Sequence, residues 1–169
     1  MLKKTNHIVI SRETARRLSR SLHVQGQKLV FTNGCFDILH IGHVKYLEKA
    51  KSLGDVLMVG INSDRSAKIL KGPGRPLITE EERAKIISSL YSVDYAIIFD
   101  EETPIQLISE LKPNIHVKGG DYTMQNLPEY NIVYSYGGKI KILSYINGKS
   151  TTNIIKQIIS TYDIKNGTR

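Results

Sequence analysis

Along the chain, short runs of aliphatic and β-branched residues alternate with stretches whose apolar positions recur every three or four residues. The short runs predict strands at Lys28 to Thr32, Val56 to Ile61, Tyr95 to Phe99, Ile115 to Val117 and Lys139 to Leu143. Their largely continuous apolar character is that of parallel strands buried on both faces. Between them, Val44, Leu47, Ala50 and Leu53 mark the inner side of a helix ending near Gly54, and Ile86, Ile87 and Leu90 that of another. Thr79 and Glu82 form a capping box before the second of these, each side chain satisfying an orphan backbone N–H. Thr103-Pro104-Ile105-Gln106 predicts a further helix start of the same kind, with proline at the first helical position. A last helix begins near Ser150 to Thr152 and carries Ile154, Ile155, Ile158 and Ile159. Strands alternating with helices predict an α/β fold, a Rossmann-like doubly wound sheet of about five parallel strands flanked by helices. The 169 residues suit a single domain, with residues 1–27 as an N-terminal helical extension and 163–169 as a frayed tail.

Composition narrows the functional classes. With 40% hydrophobic and 24% charged residues and a mean hydropathy of -0.23, the chain reads as globular and not disordered. No apolar run approaches the roughly 20 residues of a membrane span, and the stretch from Met1 to His7 lacks the apolar core of a secretory signal. A cytoplasmic protein with no membrane partner is expected. The one cysteine, Cys35, excludes an internal disulfide framework and a zinc site built on several thiolates. The net charge of +8 favours anionic partners: nucleic acid, a membrane surface or phosphorylated small molecules. Basic residues are scattered except for Arg12, Arg16, Arg17 and Arg20, which fall on one predicted helix and read most simply as a solvated face. Tyr130, Tyr134 and Tyr136 crowd a different segment, so the interleaving of cations and aromatics expected of a nucleic-acid surface is missing and no nucleic-acid partner is expected.

The informative stretch joins the first predicted strand to its helix: Phe31-Thr32-Asn33-Gly34-Cys35-Phe36-Asp37-Ile38-Leu39-His40-Ile41-Gly42-His43. Open α/β sheets bind ligands at such strand ends. Gly34 allows phosphate to approach the main chain, and Gly42 leaves the helix N-terminus uncovered as an anion site. His40 and His43, three residues apart, can both point at that anion and stabilise charge growing on a phosphate without forming a covalent bond. Capping, core packing and metal ligation are the alternatives for these histidines, and no third or fourth ligand at metal spacing accompanies them beyond Asp37, so no metal site is expected. Cys35, at the end of a buried strand, reads as a packing residue and not as a nucleophile.

Asn33-Gly34-Cys35-Phe36-Asp37 followed by His40-Ile41-Gly42-His43 resembles the signature of the small nucleotidyltransferases, the family of cytidylyltransferases, pantetheine-phosphate adenylyltransferase and FAD synthetases. The His-x-Gly-His element also occurs in class I aminoacyl-tRNA synthetases, which are far longer and carry a Lys-Met-Ser-Lys-Ser type loop absent here. Further segments are Asn62 to Ser66, Leu70-Lys71-Gly72, Arg75-Pro76, Val117-Lys118-Gly119-Gly120-Asp121-Tyr122 and Ser150 to Ile155. Together they resemble the adenylyltransferases of ADP-heptose synthesis, in their stand-alone form. The resemblance runs in order from about Gly26 to about Ile159. Where cytidylyltransferases carry an arginine and an isoleucine before the last Ser-Thr-Thr, this chain has Asn147-Gly148-Lys149, leaving Lys149 as the phosphate-facing cation. Gly148-Lys149-Ser150 is no P-loop, because Leu143 stands where its first glycine is needed.

The resemblance implies attack by a sugar 1-phosphate, D-glycero-β-D-manno-heptose 1-phosphate, on the α-phosphate of ATP, with Mg2+ as the accompanying metal and pyrophosphate as the leaving group. It implies that Thr32, Asn33, Gly34, Phe36, His40 and His43 face the nucleotide phosphates, and Lys45 is a candidate for the incoming phosphate or for a solvated helix position. Lys71 and Arg75 lie in a Gly/Pro-rich segment suited to a loop that closes on substrate, with Arg83 a further candidate for the same phosphate cluster. Lys118, Gly120 and Asp121 suit a base or ribose, and Thr151 and Thr152 the leaving phosphates or a simple helix cap. Three functional classes stay open: this adenylyltransferase, a relative using CTP with a polyol phosphate or ATP with a flavin precursor, and a basic nucleic-acid module. A homo-oligomer paired through Leu127 to Tyr136 is also expected.

Overall fold

The computed structural model describes residues 8–120, 126–144 and 150–162. In chain order the elements are β1 (Ile8–Val9), α1 (Arg12–Val24), β2 (Leu29–Gly34), α2 (Ile41–Lys51), β3 (Val56–Asn62), α3 (Asp64–Lys71), α4 (Glu80–Ser88), β4 (Tyr95–Phe99), α5 (Ile105–Leu111), β5 (Ile115–Gly119), α6 (Tyr130–Ser135), β6 (Lys139–Leu143) and α7 (Thr151–Thr161). The strands form one six-stranded parallel sheet in the order β1-β4-β3-β2-β5-β6. All five predicted strands are present. The sixth, β1, is two exposed residues paired to Tyr95 and Ala96, too short to leave a pattern in the sequence.

Strand side chains alternate between two cores because successive residues point to opposite faces. Leu29, Phe31 and Met58 join Ala15, Leu22, Leu107, Ile108 and Val133 on one face, under α1, α5 and α6. Val30, Leu57, Val59 and Ile61 join Leu47, Ala50, Ala84 and Ile87 on the other, under α2 and α4. The N-terminal stretch expected as an extension thus contributes an edge strand and core residues to the domain. The segment expected to pair copies of the chain is likewise spent inward: Leu127 and Val133 are buried, and Tyr130, Ile132 and Tyr136 pack against the same core. Most of its apolar residues are therefore spent on the core, while Tyr134 stays exposed on that surface.

Thr79 and Glu82 make the predicted capping box in full. The second predicted box does not form: α5 starts at Ile105, Pro104 occupies the N-cap, and no side chain caps it. Among the described residues no helix is long and apolar enough to cross a membrane.

Candidate active site

The strand order reverses between β2 and β5. That reversal opens the crevice in which such sheets hold ligands, outside the carboxyl ends of the strands. Pairing of β2 with β5 ends at Thr32 and Val117, whereas β2 stays paired to β3 as far as Gly34 and Ile61. At the point of divergence the Tyr46 hydroxyl, reaching from α2, bonds to Thr32 Oγ1 at 2.6 Å and donates to the Val117 carbonyl at 3.1 Å. Thr32, expected at the phosphates, is fully buried and its hydroxyl is engaged in this chain.

Beyond Thr32 the main chain turns sharply. Phe36 adopts φ +48°, a left-handed conformation uncommon outside glycine, and its ring lies over Gly34, where a Cβ would sit 3.0 Å from Phe36 Cε2. His40 caps α2: its Nδ1 accepts from the Gly42 N–H at 3.1 Å, so in the neutral ring the proton sits on Nε2. The His43 ring stacks on His40 with centroids 3.9 Å apart and meets the edge of Phe36 at 5.4 Å. Burial, reinforced by the His40 imidazole, pushes the His43 pKa down to about 4. Asn33 Oδ1 and His43 Nδ1 are both buried without a hydrogen-bond partner among the described residues. Two orphaned polar atoms at the mouth of a helix N-terminus are what a site leaves for its ligand.

Other predicted residues converge on this loop. The Thr151 hydroxyl, in the first turn of α7, donates to the Ile38 carbonyl at 3.1 Å and brings that helix start against the His-x-Gly-His loop; Thr152 beside it is exposed. Lys118 and Gly120 sit at the end of β5, beside the end of β2, and Gly120 takes φ +117° while donating to the Leu143 carbonyl. The Lys118 ammonium lies 2.6 Å from Glu129 Oε1, a carboxylate that sequence reasoning passed over. Burial opposes ionisation of Glu129, but Lys118 outweighs it and holds the carboxyl below its usual range. Lys45 and Lys71 are exposed, on α2 and at the end of α3. Asp121 and Lys149 lie outside the described residues.

Arg75 and Arg83 turn out to be engaged by the protein itself. Arg75 pairs with Asp37, whose nearly buried carboxylate also accepts from the N–H groups of Leu77 and Ile78 at 2.9 and 3.0 Å. Asp37 therefore fastens the Gly/Pro-rich loop to the His-x-Gly-His loop. Arg83 has no exposed surface: it donates to the carbonyls of Cys35, Asn62 and Ile78 and to Asp64 Oδ1. The expectation of a substrate-facing Arg83 is corrected, since a guanidinium committed to four acceptors beneath the loop has no face for a phosphate. Its partners stand five to 48 residues away, which spacing along the chain did not reveal.

A cytidylyltransferase-like family model matches residues 31–166, spanning the crevice and every element that lines it. The chain belongs to the cytidylyltransferase-like family. Within that family it resembles the bifunctional protein HldE of Geobacter metallireducens, with 56% identity over 138 residues, and that of Syntrophotalea carbinolica, with 51% over 152. These matches cover 82% and 90% of this chain but 28% and 31% of the relatives, so the chain spans about a third of the length of the curated relatives it matches. A lipopolysaccharide core biosynthesis protein from Thermoplasma volcanium superposes with a TM-score of 0.59 at 33% identity, covering 72% of this chain and 98% of that one. Pantoate-beta-alanine ligase from Francisella tularensis superposes at 0.55 with 16% identity, over 95% of this chain and 82% of its own, and shares the fold alone. Membership of a cytidylyltransferase-like family accords with the predicted nucleotidyltransferase signature and the six-stranded parallel sheet.

Proposed function

We propose that this chain transfers the adenylyl group of ATP to D-glycero-β-D-manno-heptose 1-phosphate, in the cytoplasm. An oxygen of the sugar phosphate attacks the α-phosphorus, the bond to the bridging oxygen breaks, and ADP-heptose and pyrophosphate form. The observation that carries the reaction class is the stacked His40/His43 pair at the N-terminus of α2, in the crevice where β2 and β5 part. Both reactants are anions, so catalysis consists of neutralising charge and holding the attacking and leaving oxygens in line. His40 and His43 serve the α-phosphate, with Asn33 and the Gly34 backbone beside them. Thr151 and Thr152 at the start of α7 serve the leaving phosphates, and Lys118, Gly120 and Asp121 the nucleoside. Lys45, Lys71 and Lys149 supply positive charge, and Phe36 and Thr32 shape the loop. Arg75 reaches substrate only by exchanging Asp37 for it.

Magnesium enters as part of the ATP substrate. Asp37, Asp64 and Glu129 are each committed to a cation, and among the described residues no cluster of three or more His, Cys, Asp or Glu could hold a metal. An ion riding on the triphosphate fits these residues better than one held by carboxylates.

The acceptor rests on the motif resemblance and on similarity to the HldE proteins. Pyrophosphate release across a panel of nucleotides and acceptors tests both levels. Release with ATP and the heptose phosphate, and much less with CTP, is expected. Preference for CTP with glycerol 3-phosphate, or for ATP with FMN, overturns the acceptor and leaves the His40/His43 chemistry standing.

A further inference from the structure

The arginine cluster of α1 has no part in the reaction above, and its placement gives it a different use. Arg12, Arg16 and Arg20 recur every four residues and so share one helix face, which lies along α5. Arg12 is consumed there, bonded to both carboxylate oxygens of Glu110 and to Glu101. Below it, Arg16, Arg20, His23 and Lys112 line a groove of about 370 Å³ between α1 and the end of α5. None of these three arginine and lysine side chains has an ion-pair partner among the described residues, and the acid lining the groove, Glu110, is already taken by Arg12. Lys112 reaches the rim in a left-handed conformation, φ +45°, which a lysine holds at a cost that glycine would avoid. The groove lies at the opposite pole from the crevice. Both helices end where β2 and β5 begin, with Ser19 donating to the Leu111 carbonyl and Asn114 accepting from the Leu29 N–H.

We infer that this groove is a second anion site, which takes a small, multiply charged phosphate of the pyrophosphate class. Its concavity has the size of a small-ligand pocket, and unopposed cations converge on it from two elements. A solvated basic face on α1 would not need a cation brought to the same rim by the C-cap of α5. The inference is independent of the acceptor proposed above, because it concerns the other end of the sheet.

Amide NMR with inorganic pyrophosphate at low ionic strength tests it, since the two poles report separately. Shifts are expected at Ser19, His23 and Lys112 in addition to any at Gly34 and Gly42. R16Q/R20Q should weaken binding at the first group roughly tenfold or more while leaving the second group's shifts in place. K112G should fold with an unchanged or raised Tm, because glycine accepts the left-handed conformation, and still bind pyrophosphate less tightly. ADP in a parallel titration separates free pyrophosphate from a nucleotide diphosphate as the source. Absence of shifts at the groove, undiminished binding by R16Q/R20Q or K112G, or shifts with a single-stranded oligonucleotide but not with pyrophosphate would each overturn the site.

Discussion

A guanidinium buried as completely as that of Arg83 has exchanged water for protein acceptors, three of them main-chain carbonyls on separate segments. Lysine cannot reproduce that fork, and alanine leaves the carbonyls unpaired. R83A should lose about 3 kcal/mol or more of stability, read from urea midpoints, and R83K a large part of that. His116 is a second residue whose burial can be read in solution. It is fully buried and stacks on Phe31. Burial first, then the Lys118 charge, lowers its pKa from 6.5 to about 4. The unfolded chain takes up the proton below 6.5 while the folded one resists until about 4, so this contribution to stability is complete above 6.5 and drains as the pH falls between those values. Urea midpoints at about pH 7.5 and about pH 5 should therefore diverge less in H116L than in the parent chain; equal divergence contradicts the assignment. At the active site, H40A or H43A should lower kcat roughly 10²–10³-fold and change nucleotide affinity much less. A variant that lost ATP binding and kept its turnover would reverse the roles given to these rings.

Elements formed where sequence periodicity and burial agreed. The inner strands were legible because their apolar runs are buried on two faces, β6 because Ile140 and Ile142 alternate with exposed lysines, and α4 because its capping box is local chemistry. T79A should cost about 1 kcal/mol in thermal or urea unfolding, with E82Q losing less because an amide oxygen can still accept. The elements the sequence did not announce share a physical cause. Of the eight residues of α3 only Ser66 and Ala67 are buried, and α6 is six residues with Val133 alone fully buried, so neither is long enough or buried enough to leave a sustained helical period. In the same way the loop of the site was legible, since its glycines and histidines act over three or four residues. The partners that fix it were not: Asp64 for Arg83, Glu129 for Lys118 and Tyr46 for Thr32 are set by folding, across 11 to 19 residues of chain.

For the whole molecule, the two cores distribute stability unevenly. β2 and β3 lie inside the sheet with both faces covered, whereas α7 has no buried residue and exposes Ile158 and Ile159. Amide hydrogen exchange should therefore be slowest in β2 and β3 and much faster along α7. Comparable protection in both would show that α7 is covered in solution. If α7 opens in this way, the Thr151 contact to Ile38 is made and broken on a timescale separate from that of the sheet. The hydroxyl chain from Thr32 through Tyr46 to Val117 behaves differently. It clasps two strands at the point where their own ladder stops. A ligand can push the crevice wider only after one of these two bonds lets go, so widening has a threshold and no gradual give. The Tyr46 ring is then a tripwire: its side-chain resonance should stay fixed under ligands that merely fill the crevice and jump under any that spread it.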